Sequence, residues 1–169
     1  MPLPQLIEED LRVLDDALAG LLGRSEAGMA MLIDKAGFLI TQSGGDTQLD
    51  TTTLAALAAG SFAATQGMAA LTQESNFNSV YQQGENSSLL ILTVDDNCLL
   101  LVVFKASVSV GMVKYYALST VAQLAEQLNK AQARRPQCHV DLAVLNLADT
   151  STLFRRKETD LNGAGQVSS

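Results

Sequence analysis

The most constraining feature of this chain is a run of 23 residues, 51–73, without a single charged side chain. The run reads TTTLAALAAGSFAATQGMAALTQ and lies between Asp50 and Glu74, in a chain whose net charge is −7. A helix on the surface of a soluble protein normally keeps charged side chains on its outer face. A helix without them is expected to be covered on more than one side, by its own core and by a partner. We therefore take this segment as the candidate functional surface.

Helical periodicity predicts which side of this helix meets the core. Asp50 suits the N-cap, because a carboxylate there accepts a hydrogen bond from a free backbone N–H. One row of side chains carries the larger apolar residues, and we predict that it faces the core. This row consists of Leu54, Leu57, Ala64, Met68 and Leu71.

A second row of small residues lies about 100° away around the same helix. It consists of Ala56, Gly60, Ala63, Gly67 and Ala70. Each glycine costs a helix about 1 kcal/mol relative to alanine, so two of them in one row indicate that another backbone comes close. We predict that this row, together with Ala59 and Gln66, forms a platform for a partner.

Two helices and a hairpin are predicted around this segment. Residues 4–22 have an amphipathic pattern, with Pro4 in the first turn and Gly23 at the end. Residues 29–33 and 38–41 predict a hairpin, because the turn between them begins with Asp34 and ends with Gly37. Residues 111–135 predict the last helix. The apolar stripes of the two helices are Ile7, Leu11, Leu14, Leu18 and Leu21, and Val113, Ala117, Val121, Leu124, Leu128 and Ala131.

Residues 89–94 and 98–104 predict a second hairpin, because two almost continuous apolar runs are joined by Asp95, Asp96 and Asn97. Continuous apolar runs, as opposed to alternating ones, indicate that both faces of a sheet are covered. We therefore expect helices on both sides of the sheet.

Residues 77–83, FNSVYQQ, predict a strand at the edge of the sheet, because the run is polar. The run lacks the lysine, proline or other charge that usually protects an edge from pairing. An unprotected edge beside an uncharged helix favours self-association. The residues expected to form this edge are Phe77, Ser79, Val80, Tyr81 and Gln83.

The length of 169 residues suits one domain, 1–135, followed by an extension, 136–169. The part of the extension from Cys138 to Phe154 is too apolar for a typical disordered tail, whereas the end from Asn162 is rich in glycine and serine. The apolar part could dock on the domain, on a second copy or on a partner. Its candidate contact residues are Leu142, Leu145 and Phe154.

Charge and cysteine usage narrow the class of protein. A net charge of −7 argues against binding to nucleic acid, which needs a basic surface. Cys98 and Cys138 have neither CxxC spacing nor a nearby Cys/His cluster, which predicts a reduced, cytoplasmic protein. The acidic N-terminal region does not have the pattern of a signal peptide. The uncharged run nearly reaches membrane-spanning length, but it is built of alanine, glycine and threonine, so we expect no membrane insertion.

The sequence contains no pattern of a classical enzyme. It has no P-loop motif, no nucleophile elbow, and His139 as its one histidine, so we expect no catalytic residue, no metal and no cofactor. Arg155 and Arg156 could in principle act as an arginine finger on a GTPase. A mobile basic tail is the better interpretation, because a finger needs a rigid support.

Three segments together resemble a known family. They are MLIDKAGFLI at residues 31–40, the run 54–71 with its AATQG core, and the junction Gln83-Gly84-Glu85. In this order of helix, hairpin, helix, three strands and helix, the chain resembles the roadblock / dynein light chain family. Within it, the chain is similar to the MglB-like regulators of bacterial Ras-like GTPases. The resemblance covers residues 4–133.

The resemblance implies a fold and a function. The fold is a layered α+β domain of the profilin/roadblock kind, with a five-stranded antiparallel sheet, two helices on one face and one on the other. Two copies join their sheets edge to edge and set their alanine-rich helices side by side. One small GTPase then binds over the paired helices, and its own catalytic groups are reoriented without an arginine finger. Such proteins act in cell polarity, including that of motile bacteria.

Mapped onto this chain, the strand 77–83 is the dimer edge and the row of small residues is part of the platform. Roadblock relatives also act as scaffolds that hold partners without activating them, and the same surface would serve both roles. A small-ligand sensor on a similar sheet is a third alternative, although no residues here mark a pocket. In some relatives a C-terminal extension contacts the GTPase, and the role of residues 136–169 stays open.

Overall fold

The computed structural model describes residues 4–134, so the predictions for the extension lie outside the described residues. The order of helices and strands is the one expected. In chain order the elements are α1 (Glu8–Ser25), β1 (Met29–Asp34), β2 (Leu39–Gly44), α2 (Thr51–Leu71), β3 (Ser79–Gln83), β4 (Ser87–Thr93), β5 (Cys98–Lys105) and α3 (Val110–Ala133).

The strands of residues 4–134 form one antiparallel sheet in the order β2-β1-β5-β4-β3. Helices α1 and α3 pack against each other on one face of the sheet, and α2 packs on the other. The predicted α+β layering is therefore confirmed. Strand β1 explains why both faces are covered. Its Ala30 and Leu32 join the core below α1 and α3, while its Met29, Met31 and Ile33 join the core below α2.

Aspartates hold the two hairpin turns that the sequence predicted, β1–β2 and β4–β5. The Asp34 carboxylate accepts a hydrogen bond from the backbone N–H of Phe38 at 2.8 Å. Asp95 accepts two bonds of the same kind, from Asn97 at 2.8 Å and from Cys98 at 2.7 Å. Both turns lie where the sequence predicted them, because an aspartate side chain can replace backbone hydrogen bonds that a tight turn leaves unmade.

The predicted bounds of the first helix were wrong at both ends. Helix α1 begins at Glu8, so Pro4 precedes it, and it continues past Gly23 to Ser25. Glu26 ends the helix in a left-handed conformation with a φ of 57°. Within the predicted stripe, Ile7 is exposed and Leu11 is half-buried.

Asp10 takes the place of an apolar residue at the contact between α1 and α3. Its side chain is only 1% exposed. The carboxylate accepts hydrogen bonds from the backbone N–H of Ile7 at 3.0 Å and from Gln127 Nε2 at 2.6 Å, and it pairs with the Arg134 guanidinium. A buried carboxylate is tolerated because these donors replace its water. The cluster therefore joins the first turn of α1 to the C-terminal part of α3.

We expect Asp10→Asn to lower the midpoint of thermal unfolding at pH 7, because the amide removes the charge that Arg134 faces. The Ile7 N–H, followed by Arg134 and Gln127, holds the pKa of Asp10 below its ordinary value. A lowered native-state pKa stabilises the fold fully above the unfolded-state pKa of about 3.9, and this contribution is lost as the pH falls through the native-state value. The difference between wild type and variant should therefore shrink on acidification.

Thermal melts followed by circular dichroism at pH 7 and at about pH 3 would measure this difference, since the two values bracket the ordinary carboxyl pKa. Asp16→Asn is the matched control, because Asp16 is exposed on the same helix. Equal unfolding midpoints for wild type and Asp10→Asn at pH 7 would contradict the stabilising role assigned to the Asp10–Arg134 ion pair.

Candidate functional site

The outer face of α2 carries the row of small residues where the sequence placed it. Ala56, Gly60, Ala63, Gly67 and Ala70 are all exposed. A Cβ atom added at Gly60 or at Gly67 would meet nothing within 4 Å. The packing of the described domain therefore does not require glycine at either position. No contact within the described domain accounts for their small size.

The predicted core row of α2 was wrong. Leu57, Met68 and Leu71 are 66%, 53% and 85% exposed, and Ala64 is exposed as well, while Leu54 is half-buried. The face that contacts the sheet is a third one, which consists of Ala55, Ala58, Ala59, Phe62 and Ala69.

The physical reason is that the sheet supplies the large side chains on this side of the domain. Met29, Met31, Ile33, Leu99 and Leu101 fill the layer beneath α2, so small residues on the helix bring it close to the sheet. The turn between β1 and β2 also lies close to α2, because a Cβ added at Gly37 would lie 2.9 Å from the Cα of Ala56.

Two residues assigned to the platform have other positions. Ala59 is only 4% exposed and belongs to the core, so it cannot contribute to the outer surface of this domain. Gln66 is half-buried, and its Nε2 donates a hydrogen bond to the backbone oxygen of Phe77 at 2.7 Å. Nearby, Gln82 Nε2 donates to Ser61 Oγ at 3.1 Å. These two bonds hold α2 beside β3, so the outer face of the helix and the edge of the sheet are adjacent.

Strand β3 lies at the edge of the sheet, as predicted, although it begins at Ser79 and Phe77 precedes it. The direction of its backbone groups follows from two hydrogen bonds to the neighbouring chain segment. The Thr93 N–H donates to Asn78 O at 3.1 Å, and the Gly84 N–H donates to Ser87 O at 2.9 Å. Because antiparallel strands alternate, the odd-numbered residues then direct their N–H and C=O groups away from β4. These residues are Ser79, Tyr81 and Gln83.

The side chains of β3 alternate between the two faces of the sheet. Val80 packs into the core below α2. Tyr81 stacks on Phe104, with ring centroids 6.3 Å apart, on the side of α1 and α3. On that side Lys114 Nζ also donates to Ser79 Oγ at 3.2 Å. A lysine from α3 therefore borders the edge, which the residues of the strand itself did not indicate.

By length and composition alone, α2 could also cross a membrane. In the described domain its Ala55, Ala59 and Phe62 face packs on the sheet. Asp50 caps the helix as predicted, and its carboxylate accepts hydrogen bonds from the Thr53 N–H at 3.0 Å and the Thr53 hydroxyl at 2.6 Å. These are the contacts of a helix in a layered domain.

Residues 4–134 contain no group of three or more His, Cys, Asp or Glu side chains that could hold a metal ion. Cys98 is buried, and burial raises the pKa of its thiol to about 12, so it is protonated at neutral pH. His139, Arg155, Arg156 and the proposed tail contacts Leu142, Leu145 and Phe154 lie outside the described residues.

The described residues thus define a layered α+β domain in which the β3 edge of the sheet lies beside an uncharged helix. Residues 14–104, more than half of the chain, match the Roadblock/LC7 domain. The chain belongs to this family. A comparison with curated protein sequences found no match.

Solved structures of MglB proteins have the same fold. One, described as MglB with tetrameric arrangement, has a TM-score of 0.73 and 28% identity over 78% of this chain and 98% of that chain. MglB from Myxococcus xanthus has a TM-score of 0.70 and 29% identity over 75% and 96% of the two chains. The gliding protein MglB from Thermus thermophilus has a TM-score of 0.71 and 28% identity over 77% and 98%. The likeness therefore extends over nearly the whole of each MglB.

We expect Gly60→Ala and Gly67→Ala each to raise the free energy of unfolding by about 1 kcal/mol, the difference in helix propensity between the two residues. The added methyl group has open space at both positions. Urea denaturation at one fixed protein concentration measures the effect.

Gly37→Ala is the contrasting control and should lower stability, because Gly37 has a φ of +97° and little space beside Ala56. A loss of stability in either α2 variant that grows with protein concentration would contradict the assignment of open space. It would show that another copy covers the glycine in solution.

Proposed function

We propose that this protein is a homodimeric, cytoplasmic regulator that binds a small Ras-like GTPase similar to MglA and stimulates its GTP hydrolysis, in cell polarity or motility. The observation that carries the proposal is the exposed, uncharged outer face of α2 beside the free β3 edge, in a chain that resembles MglB. Soluble domains rarely leave a contiguous apolar surface uncovered unless it binds another protein.

The β3 edge supports the homodimer. Ser79, Tyr81 and Gln83 direct their backbone groups outward, and residues 77–83 carry no charge to prevent pairing. An antiparallel pair of two β3 strands uses all three residues when Tyr81 lies opposite the partner's Tyr81. In this register Ser79 lies opposite the partner's Gln83, so every outward N–H and C=O is satisfied. The two sheets then continue into one.

The same pairing places the two α2 helices side by side. Ser61 faces β3 through its bond to Gln82, so the side of α2 near Leu57, Ala64 and Met68 lies next to the dimer axis. The row of small residues lies farther from the axis, on the outer face. A client that lies across both helices meets apolar side chains at the centre and small ones around them. A stable contact of standard size buries about 800 Å² per partner, a size that suits such a platform.

The platform has no cationic side chain that could stabilise the negative charge of a phosphoryl-transfer transition state, because residues 51–73 carry no charged side chain. Stimulation must then come from differential binding. A regulator that prefers the catalytic conformation of its client shifts the client's population toward it. A preference of about 4 kcal/mol corresponds to about a thousandfold in rate. The GTPase supplies the catalytic groups, and this chain supplies a surface that fits them only when they are correctly placed.

A scaffold is the alternative function, because an uncharged platform could hold a partner without changing its rate. The two functions differ in their dependence on nucleotide. An activator of this kind must bind the GTP-bound client more tightly than the GDP-bound client, whereas a scaffold need not. Binding that is indifferent to the nucleotide, together with unchanged hydrolysis at saturating protein, would exclude the activator and leave the scaffold.

The decisive experiment uses the full chain and the small GTPase encoded nearest to it. The GTPase is loaded with GDP or with a non-hydrolysable GTP analogue, and complex formation is measured by calorimetry. Single-turnover hydrolysis is then followed with and without saturating regulator. Preferential binding of the GTP form and faster hydrolysis are the expected results.

We expect the double variant Gly60→Arg/Ala63→Arg to lose GTPase binding, because two long cationic side chains would occupy the open space on the platform. Ala19→Arg is the matched control, since Ala19 is exposed on α1, on the opposite face of the sheet. Calorimetry measures affinity and sedimentation velocity measures the dimer. Retention of both GTPase binding and dimerisation by the double variant would show that the surface is assigned wrongly.

Arg155→Ala separates this mechanism from an arginine finger. Because the proposed mechanism uses only the catalytic groups of the GTPase, the variant should stimulate hydrolysis nearly as well as wild type. Removal of a true finger lowers the rate about a thousandfold or more. A loss of that size in single-turnover hydrolysis would establish the finger and overturn repositioning as the mechanism.

A further inference from the structure

The turn between β1 and β2 borders the row of small residues on α2. A Cβ added at Gly37 would lie 2.9 Å from the Cα of Ala56, the first residue of that row. Ser61, which bonds to Gln82 of β3, points to the other flank of the helix, because at about 100° per residue it lies about 140° from Ala56. The platform therefore has β3 along one side and this turn along the other.

Lys35 places a cation at this border. Its Nζ lies 6.0 Å from the centroid of the Phe62 ring, and Phe62 belongs to the buried face of α2. Ala63, the next residue along the helix, is exposed in the row of small residues, and Lys35 is exposed as well. An ammonium group thus lies at the rim of a surface that carries no charge of its own.

The backbone of Lys35 is held on both sides. Its N–H donates to Asn97 O at 2.8 Å, in the turn between β4 and β5. The Asp34 carboxylate accepts a hydrogen bond from the Phe38 N–H at 2.8 Å, which closes the turn that contains Lys35. An ordered backbone lowers the entropy that a contact costs, since only the side chain of Lys35 still has to be fixed. The cation is therefore presented at a defined place beside α2.

No carboxylate within residues 4–134 forms an ion pair with Lys35, because both ion pairs of this part of the chain lie on the side of α1 and α3. The carboxylates of Asp34 and Asp95 accept hydrogen bonds from backbone N–H groups of their own turns. Asp50 and Glu74 stand at the two ends of the uncharged run. A partner that covers α2 therefore meets a cation at the side of the platform and an anion at each end.

We propose that Lys35 forms an ion pair with a carboxylate on the small GTPase and thereby sets the orientation in which the GTPase lies on the platform. This inference rests on the proposed function, because it assumes that the GTPase covers α2. It defines the partner more narrowly, as a GTPase with an acidic side chain beside the apolar patch that meets α2.

An ion pair at this place acts on orientation more than on affinity. Apolar and small side chains attract a client without fixing its direction, since the burial of apolar surface is non-directional. A charge at the rim raises the association rate and disfavours orientations that bring a like charge opposite it. The two-fold symmetry of the proposed homodimer gives the platform one Lys35 at each outer side, so either copy can receive a single client.

The test measures association and dissociation rates between the full chain and the small GTPase encoded nearest to it, loaded with a non-hydrolysable GTP analogue. We expect Lys35→Met to weaken binding about two- to fivefold, the range of an exposed ion pair, and to do so through the association rate. Lys35→Glu should weaken binding about tenfold or more, because attraction becomes repulsion. Lys35→Arg should bind like wild type. Arg12→Met is the matched control, since Arg12 is exposed on α1, on the opposite face of the sheet.

Salt dependence separates an ion pair from a loss of packing. The Debye length falls from about 10 Å in about 0.1 M salt to about 3 Å in about 1 M salt. The difference in affinity between wild type and Lys35→Met should therefore nearly disappear at the higher salt concentration. Methionine keeps an apolar stem beside Phe62, so the midpoint of thermal unfolding should be unchanged in this variant.

A zero-length crosslink identifies the group that Lys35 meets. A water-soluble carbodiimide joins a lysine amine to a carboxylate in direct contact as an amide, and the reagent takes up the water that is lost. We expect a crosslink from Lys35 to an aspartate or glutamate of the GTPase, located by mass spectrometry of the joined peptides. Lys35→Arg should keep its binding but lose this crosslink, because a guanidinium group does not form the amide.

The possible results separate this inference from the proposed function. A wild-type chain that binds no GTPase overturns both. Wild-type binding that is unchanged in Lys35→Met and Lys35→Glu overturns the ion pair alone. Unchanged binding with slower hydrolysis at saturating Lys35→Met also overturns it, because Lys35 would then act on the phosphates of the nucleotide. A loss of affinity that is equally large in high salt assigns Lys35 to packing and overturns the ion pair as well. Slower association that salt abolishes, together with the crosslink from Lys35, supports it.

Discussion

The architecture depends on one constraint, a sheet that is apolar on both faces and must be covered on both. Strand β1 is buried along its whole length and sends alternate residues into two separate cores. In the described residues, two helices cover one face and α2 covers the other. A five-stranded sheet is about 19 Å wide, whereas a helix with its side chains is about 10–12 Å wide. One helix therefore cannot cover its face completely.

Close packing of α2 on the sheet determines what the outside of the domain looks like. The inner face of the helix is alanine and one phenylalanine, and the large side chains beneath it come from the strands. Because the core takes the small residues, Leu57, Met68 and Leu71 remain on the surface. The apolar surface next to β3 is therefore larger than the row of small residues alone. The proposed pairing with a second copy and the proposed binding of a client both use this surface, which is continuous with an unpaired strand edge.

Much of the fold could be predicted from local signals. Asp34 with Gly37 marks one turn, Asp95 marks the other, and Asp50 caps α2, because each aspartate forms hydrogen bonds within a few residues of itself. Continuous apolar runs in β4 and β5 indicated helices on both sides of the sheet. The exposed positions of the row from Ala56 to Ala70 also agree with helical periodicity. The orientation of α2 could not be predicted in the same way, since hydrophobicity favoured the leucine face for the core.

The sequence by itself determined the order of helices and strands, the turns and the uncharged character of α2, because these follow from interactions between residues close together in the chain. Only the tertiary structure decided which face of α2 is buried, because that depends on the side chains of β1 and β5, far away in sequence. Tertiary structure also decided that Ala59 is a core residue and that Gln66 bonds to the backbone before β3. It brought Lys114 of α3 to Ser79 of the edge strand, since the distance between a helix and a strand has no local signature.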